Sequence, residues 1–186
     1  MNRIARISFI NTLSPHVKNF LAKLHSTLET DDFRVLREGG NDYGRAVVRM
    51  DRVRCQLLEQ VTREPDYNQS EFINSLLEAV TEFSCLNLDA KVEDYVLAIA
   101  ILKSLYSINT TESLNRLYLY LKDPDIDAGV RVSTINYLVS TKDNAVLPKL
   151  REIKTYFESN PGSEFDHGSF INFLDRAIEI MERENS

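Results

Sequence analysis

The sequence predicts an all-α protein: about eight helices arranged as a short stack of helical hairpins, in one domain over residues 1–186. Three observations lead there. Apolar residues recur with helical period in nearly every segment, and no strand is compelling. Only 6 Gly and 5 Pro leave little material for the tight turns of a sandwich or barrel. Sliding the chain on itself by 33 residues brings two helix–loop–helix segments into register.

The helices follow in order. Ser14-Pro15 reads as an N-cap with proline at the first helical position, where its missing N–H costs nothing. Val17, Phe20, Leu21, Leu24 and Leu28 form one stripe behind it. Residues 30–44, with Asp31, Asp32, Gly39, Gly40, Asn41, Asp42 and Gly44, are the most loop-like stretch. A helix from about Arg45 to Arg63 turns Ala46, Met50, Val53, Leu57 and Val61 inward, and Pro65 ends it. Asn68 with Glu71 has capping spacing, and Phe72, Ile73, Leu76, Leu77, Val80 and Phe83 make the next helix amphipathic.

Between Val92 and Tyr106 apolar residues occupy all sides, which predicts a central helix covered on several faces. Asn109 and Glu112 repeat the capping spacing, ahead of Leu114, Leu117, Tyr118 and Leu121. Asp123-Pro124-Asp125 breaks the chain. Val130, Thr134, Ile135 and Leu138 belong to a helix ending near Thr141, and Ala145–Phe157 tolerates Pro148 in its first turn. After the turn Asn160-Pro161-Gly162, residues Phe170, Ile171, Leu174, Ala177, Ile178 and Met181 mark a terminal helix. Ala5–Ile10 fits either an extended segment or a helical turn.

The 33-residue shift pairs Leu97 with Val130, Leu102 with Ile135, Leu105 with Leu138, Leu114 with Leu147 and Leu117 with Leu150. The stretch Leu121-Lys122-Asp123-Pro124-Asp125, then Val130-Arg131, Leu138 and Ala145-Val146-Leu147-Pro148-Lys149-Leu150, resembles a HEAT-type repeat. In that pattern an aspartate caps one helix, proline stops the previous one, and the arginine reaches back to the neighbouring aspartate. The resemblance covers 121–153 best and 88–120 next. Thr134 stands where the family has a small alanine, and Ala98 is the counterpart of Arg131. It implies a divergent HEAT-like α-solenoid: N-terminal helices over 15–86, repeat hairpins over 88–158, and a capping helix over 166–184.

Composition bounds the function. Hydrophobic residues at 43% and charged residues at 27% exclude disorder, collagen and a membrane protein. A net charge of -6 disfavours broad contact with nucleic acid or an anionic membrane and favours a basic partner. Cys55 and Cys85 lack CxxC spacing and read as buried, reduced thiols. The N-terminus lacks an uninterrupted apolar run, and Tyr95–Leu102 is too short to span a bilayer, so a cytoplasmic location is expected.

No reaction is written in the motifs, and no enzyme activity, cofactor or metal is expected. His16, His25 and His167 show no HExxH or Cys/His ligand spacing. There is no GxSxG and no phosphate-cradling glycine motif. Asp123, Asp125 and Asp127 suggest calcium, but Ala128 and Thr134 stand where an EF-hand loop needs Gly and Glu, so capping is the ordinary account. Arg45, Arg49 and Arg52 share a helix face with Arg34, Arg37, Arg54 and Arg63 nearby. That face reads as a solvated one pairing with local acids, with an RNA contact as the alternative.

Surface recognition remains. Tyr106, Tyr118, Tyr120, Tyr137 and Tyr156 concentrate in the repeat half, where acidic residues are also in excess. Tyrosine offers large apolar area and a hydroxyl at low entropic cost. By class, size and charge the chain resembles bacterial toxin-immunity proteins, which implies an inhibitor that covers the active site of a basic toxin domain such as a nuclease. The expected partner-binding residues are Asp123, Asp125, Asp127, Tyr118, Tyr120 and Tyr156. A general adaptor is the alternative.

Overall fold

A computed structural model describes residues 12–27, 35–36, 40, 42–84, 92–123, 126–160 and 167–184. The helices among them are α1 (Pro15–Thr27), α2 (Tyr43–Thr62), α3 (Gln69–Ser84) and α4 (Val92–Ile108), then α5 (Thr111–Lys122), α6 (Ala128–Ser140), α7 (Val146–Ser159) and α8 (His167–Glu184). No strand occurs among the described residues, and no helix there is long and apolar enough to cross a membrane. Ala5–Ile10, Leu28, Arg34, Arg37, Cys85 and Asp125 lie outside them. Cys55 is exposed rather than buried, because it falls out of phase with the inward stripe of Ala46, Met50, Leu57 and Val61.

Local chemistry sets the helix starts. The Ser14 hydroxyl accepts from the Val17 N–H at 3.4 Å, and its own N–H donates to Ser75 Oγ at 2.8 Å. That second bond fastens the cap to α3. Asn68 Oδ1 accepts from the Glu71 N–H at 3.1 Å, as its spacing predicts. The cap expected at Asn109 lies one residue later. Asn109 takes a positive φ of 53°, a conformation asparagine tolerates, and so closes α4. Thr110 then caps α5 in a reciprocal box with Ser113, the Ser113 N–H meeting Thr110 Oγ1 at 3.2 Å.

The predicted apolar stripes face the core, where one continuous cluster runs from Leu13 to Met181. From Val96 to Leu105 every side chain of α4 is buried, Lys103 and Ser104 included, so this helix is central as its pattern predicts. The 33-residue register carries through to burial. Leu97 and Val130, Leu102 and Ile135, Leu105 and Leu138, and Leu117 and Leu150 are all buried, while Leu114 and Leu147 are both half-buried.

Hairpins stack through two layers. One layer runs α2, α4, α6, α8, each packed on the next. The other runs α3, α5, α7: α5 packs on α7, and Tyr120 of α5 donates its hydroxyl to the Leu77 carbonyl of α3 at 2.9 Å. The first layer tightens at Gly129, where a Cβ would meet the Tyr95 ring at 3.0 Å. Tyr95 uses that approach to reach Ser133 Oγ at 3.0 Å. The last helix, α8, covers α6 and α7, and Phe170 stands edge-on to Phe157 with centroids 5.0 Å apart.

Candidate functional site

On the layer of α3, α5 and α7, a hollow of about 310 Å³ lies between α5 and α7, lined by Leu119, Tyr120, Lys122, Asp123 and Tyr156. Its rigidity comes from bonds behind it. The Tyr120 hydroxyl is anchored on Leu77 and also meets the Thr81 hydroxyl. Tyr156 packs edge-on against Phe157, centroids 5.3 Å apart. Lys122 pairs with Glu152, and Lys149 reaches the same carboxylate at 2.9 Å. Hydrogen bonds from Lys122 and then Lys149 hold Glu152 below the usual carboxylate range.

Three of the expected partner-binding residues therefore share one concavity: Tyr120, Asp123 and Tyr156. Two others do structural work. Tyr118 is only 7% exposed, lies beneath Lys149, and burial pushes its hydroxyl up to about 12. It offers a partner almost no surface. Asp127 caps α6, accepting from the Gly129 N–H at 2.8 Å and the Val130 N–H at 3.2 Å. Capping, the ordinary account of this aspartate, is what the structure shows. Leu119, at 61% exposed, is the residue that reasoning from tyrosine and aspartate overlooks. Its signal was present, since it falls out of phase with Leu114, Leu117 and Leu121.

The opposite layer holds a second concavity. A cleft of about 230 Å³ is floored by Val96, Ile99 and Lys103 of α4 and walled by α2 and α6. Lys103 lies 3.1 Å from both carboxylate oxygens of Asp51. Arg54 reaches Asp51 Oδ1 at 3.4 Å, Ser107 Oγ at 2.9 Å and the Tyr137 hydroxyl at 3.4 Å. Burial lowers the Lys103 pKa, opposed by Asp51. Arg54 belongs to this buried group, while Arg45 is exposed and pairs with Asp42 at 3.5 Å. Arg52 is exposed and Arg49 half-buried, so of these four arginines Arg54 alone is withdrawn from the surface.

No family model, curated protein or solved structure matches this chain. Its chemistry is accordingly read from its own side chains. Among the described residues, one set could ligate a metal: His16 Nε2 lies 3.2 Å from Glu64 Oε2 and 3.3 Å from Asp66 Oδ1. Sequence spacing missed it because α1 and the turn after α2 supply its members. The same distances describe hydrogen bonds that clamp α1 to that turn.

Proposed function

We propose that this chain is a protein-binding inhibitor of the immunity type, which neutralises a cognate bacterial toxin domain by covering its active site. The observation that carries the reading is the hollow between α5 and α7, where Leu119 stands exposed beside Tyr120, Tyr156 and Asp123. The two tyrosines are the residue type that recurs at binding hot spots, and Leu119 adds apolar area beside them with charges at the rim. The HEAT-like sequence pattern agrees, because such stacks recognise partners by surface. A net charge of -6 steers a basic partner toward the chain before the apolar residues are buried.

The test looks for a toxin-like domain encoded beside the gene, mixes it with the purified chain and measures association by calorimetry, alongside protection of cells. A tight complex is expected, weakened at least tenfold by L119D and by Y156A. Absence of association and of protection overturns the reading. A general adaptor is the second reading, favoured by the separate exposure of Tyr43 and Val48 on α2. It predicts several cellular partners in a pull-down and no dependence on a neighbouring toxin gene.

A further inference from the structure

We propose that the cleft between α2 and α6 binds a small organic carboxylate with an apolar body. The proposal does not rest on the inhibitor reading, because the cleft opens in the other helix layer.

The argument begins with charge. Arg54 is 1% exposed and Lys103 5%, so both cations have been taken out of water. Among the described residues, the acid that holds both of them is Asp51. Its other partners among the described residues are neutral: Ser107 Oγ, Cys55 Sγ and the Tyr137 hydroxyl lie against Arg54. The Tyr137 ring faces both cations, 4.6 Å from Lys103 Nζ and 5.7 Å from Arg54 Cζ, and eases part of the excess. Two cations against one carboxylate leave about one positive charge in a medium of low dielectric, where an incompletely paired ion is costly. An anion arriving at Lys103 completes the pairing.

The cleft also selects what carries that anion. Val47, Met50, Val96 and Ile99 form apolar walls, and Ser133 and Asn136 add neutral polar groups along α6. A volume near 230 Å³ falls below the roughly 300 Å³ at which pockets for drug-sized molecules begin, which favours a small ligand. A single excess charge suits a monoanion better than a phosphate dianion. Asp51 also lines the cleft beside Lys103, so the ligand joins an existing ion pair at its excess positive charge; apolar walls around that cluster match an aliphatic or aromatic carboxylate.

The experiment uses the intact chain and follows binding by calorimetry and thermal shift, with hexanoate and benzoate as probes. Hexan-1-ol, hexylammonium and inorganic phosphate are the comparisons. Saturable binding of the two carboxylates is expected, with at least tenfold weaker binding of all three comparison compounds. K103M removes the cation, and V47F fills the cleft while leaving every charge in place. Each is expected to weaken carboxylate binding at least tenfold, and V47F decides the matter if K103M does not fold. No saturable binding to the unaltered chain overturns the proposal. Equal binding of hexan-1-ol or of phosphate, or undiminished binding in the folded variants, overturns it as well.

Discussion

Arg131 of α6 donates from its guanidinium to the carbonyl oxygen of Asp123, the residue that closes α5. The same nitrogen reaches the Ile126 carbonyl at 3.3 Å. The plane lies over Phe157 of α7 at 5.0 Å and Phe170 of α8 at 5.2 Å. One side chain, 0% exposed, thus joins the end of one hairpin to both helices of the next and to the terminal helix. R131A is expected to cost about 2–4 kcal/mol, from the cavity and from carbonyls left without a donor. R131K should recover only part, because an ammonium can donate to the carbonyls but has no planar face to lie over the two rings. Urea denaturation of the three proteins checks this.

Asp127 makes a narrower prediction. Its carboxylate holds two N–H groups of the first turn of α6. D127A should cost about 1 kcal/mol, while D127N, still an N-cap residue, should cost clearly less. If the residue served mainly to steer a partner, stability would be unchanged and association slowed instead.

Tyr118 governs the alkaline limb. Burial raises its pKa to about 12, so between pH 10 and 12 the folded chain holds a proton that the unfolded chain has released. Its contribution to stability is therefore intact below pH 10 and lost as the pH climbs toward 12. Burial lowers the Arg131 pKa in turn, but its guanidinium stays protonated over this range. Comparing Y118F with the parent chain cancels the arginine, which both share. Y118F should lose less stability from pH 9 to 11, and absorbance titration should show one fewer tyrosine ionising near pH 12.

Leu119 separates surface from core. L119D should change stability by no more than about 0.5 kcal/mol, as for a solvent-facing position. L117A, two residues away but fully buried, should cost about 2–5 kcal/mol. Thermal unfolding of both variants reads the difference directly. A large loss in L119D would mean that the side chain is not at the surface.

The helices, their order and most of their starts were legible in the residues. Ser14, Asn68 and Pro148 sit where capping and first-turn chemistry place them, and α4 is buried on all sides as its unbroken apolar pattern requires. Periodicity also carried a warning about the site. Tyr118 lies on the same stripe as Leu114, Leu117 and Leu121, so its phase points inward, whatever tyrosine does at other interfaces.

Tertiary structure alone decided which faces meet. Asp51, Arg54, Lys103 and Tyr137 come from three helices, and nothing in their spacing announces that they share one buried cluster. His16, Glu64 and Asp66 likewise converge from distant segments, and Tyr120 and Tyr156 flank one hollow because α5 packs on α7. The reason is geometric. A repeating pattern fixes the angle at which a side chain leaves its own helix, through local bonds and the 3.6-residue turn. Which neighbour stands at that angle depends on how all the helices fill space together.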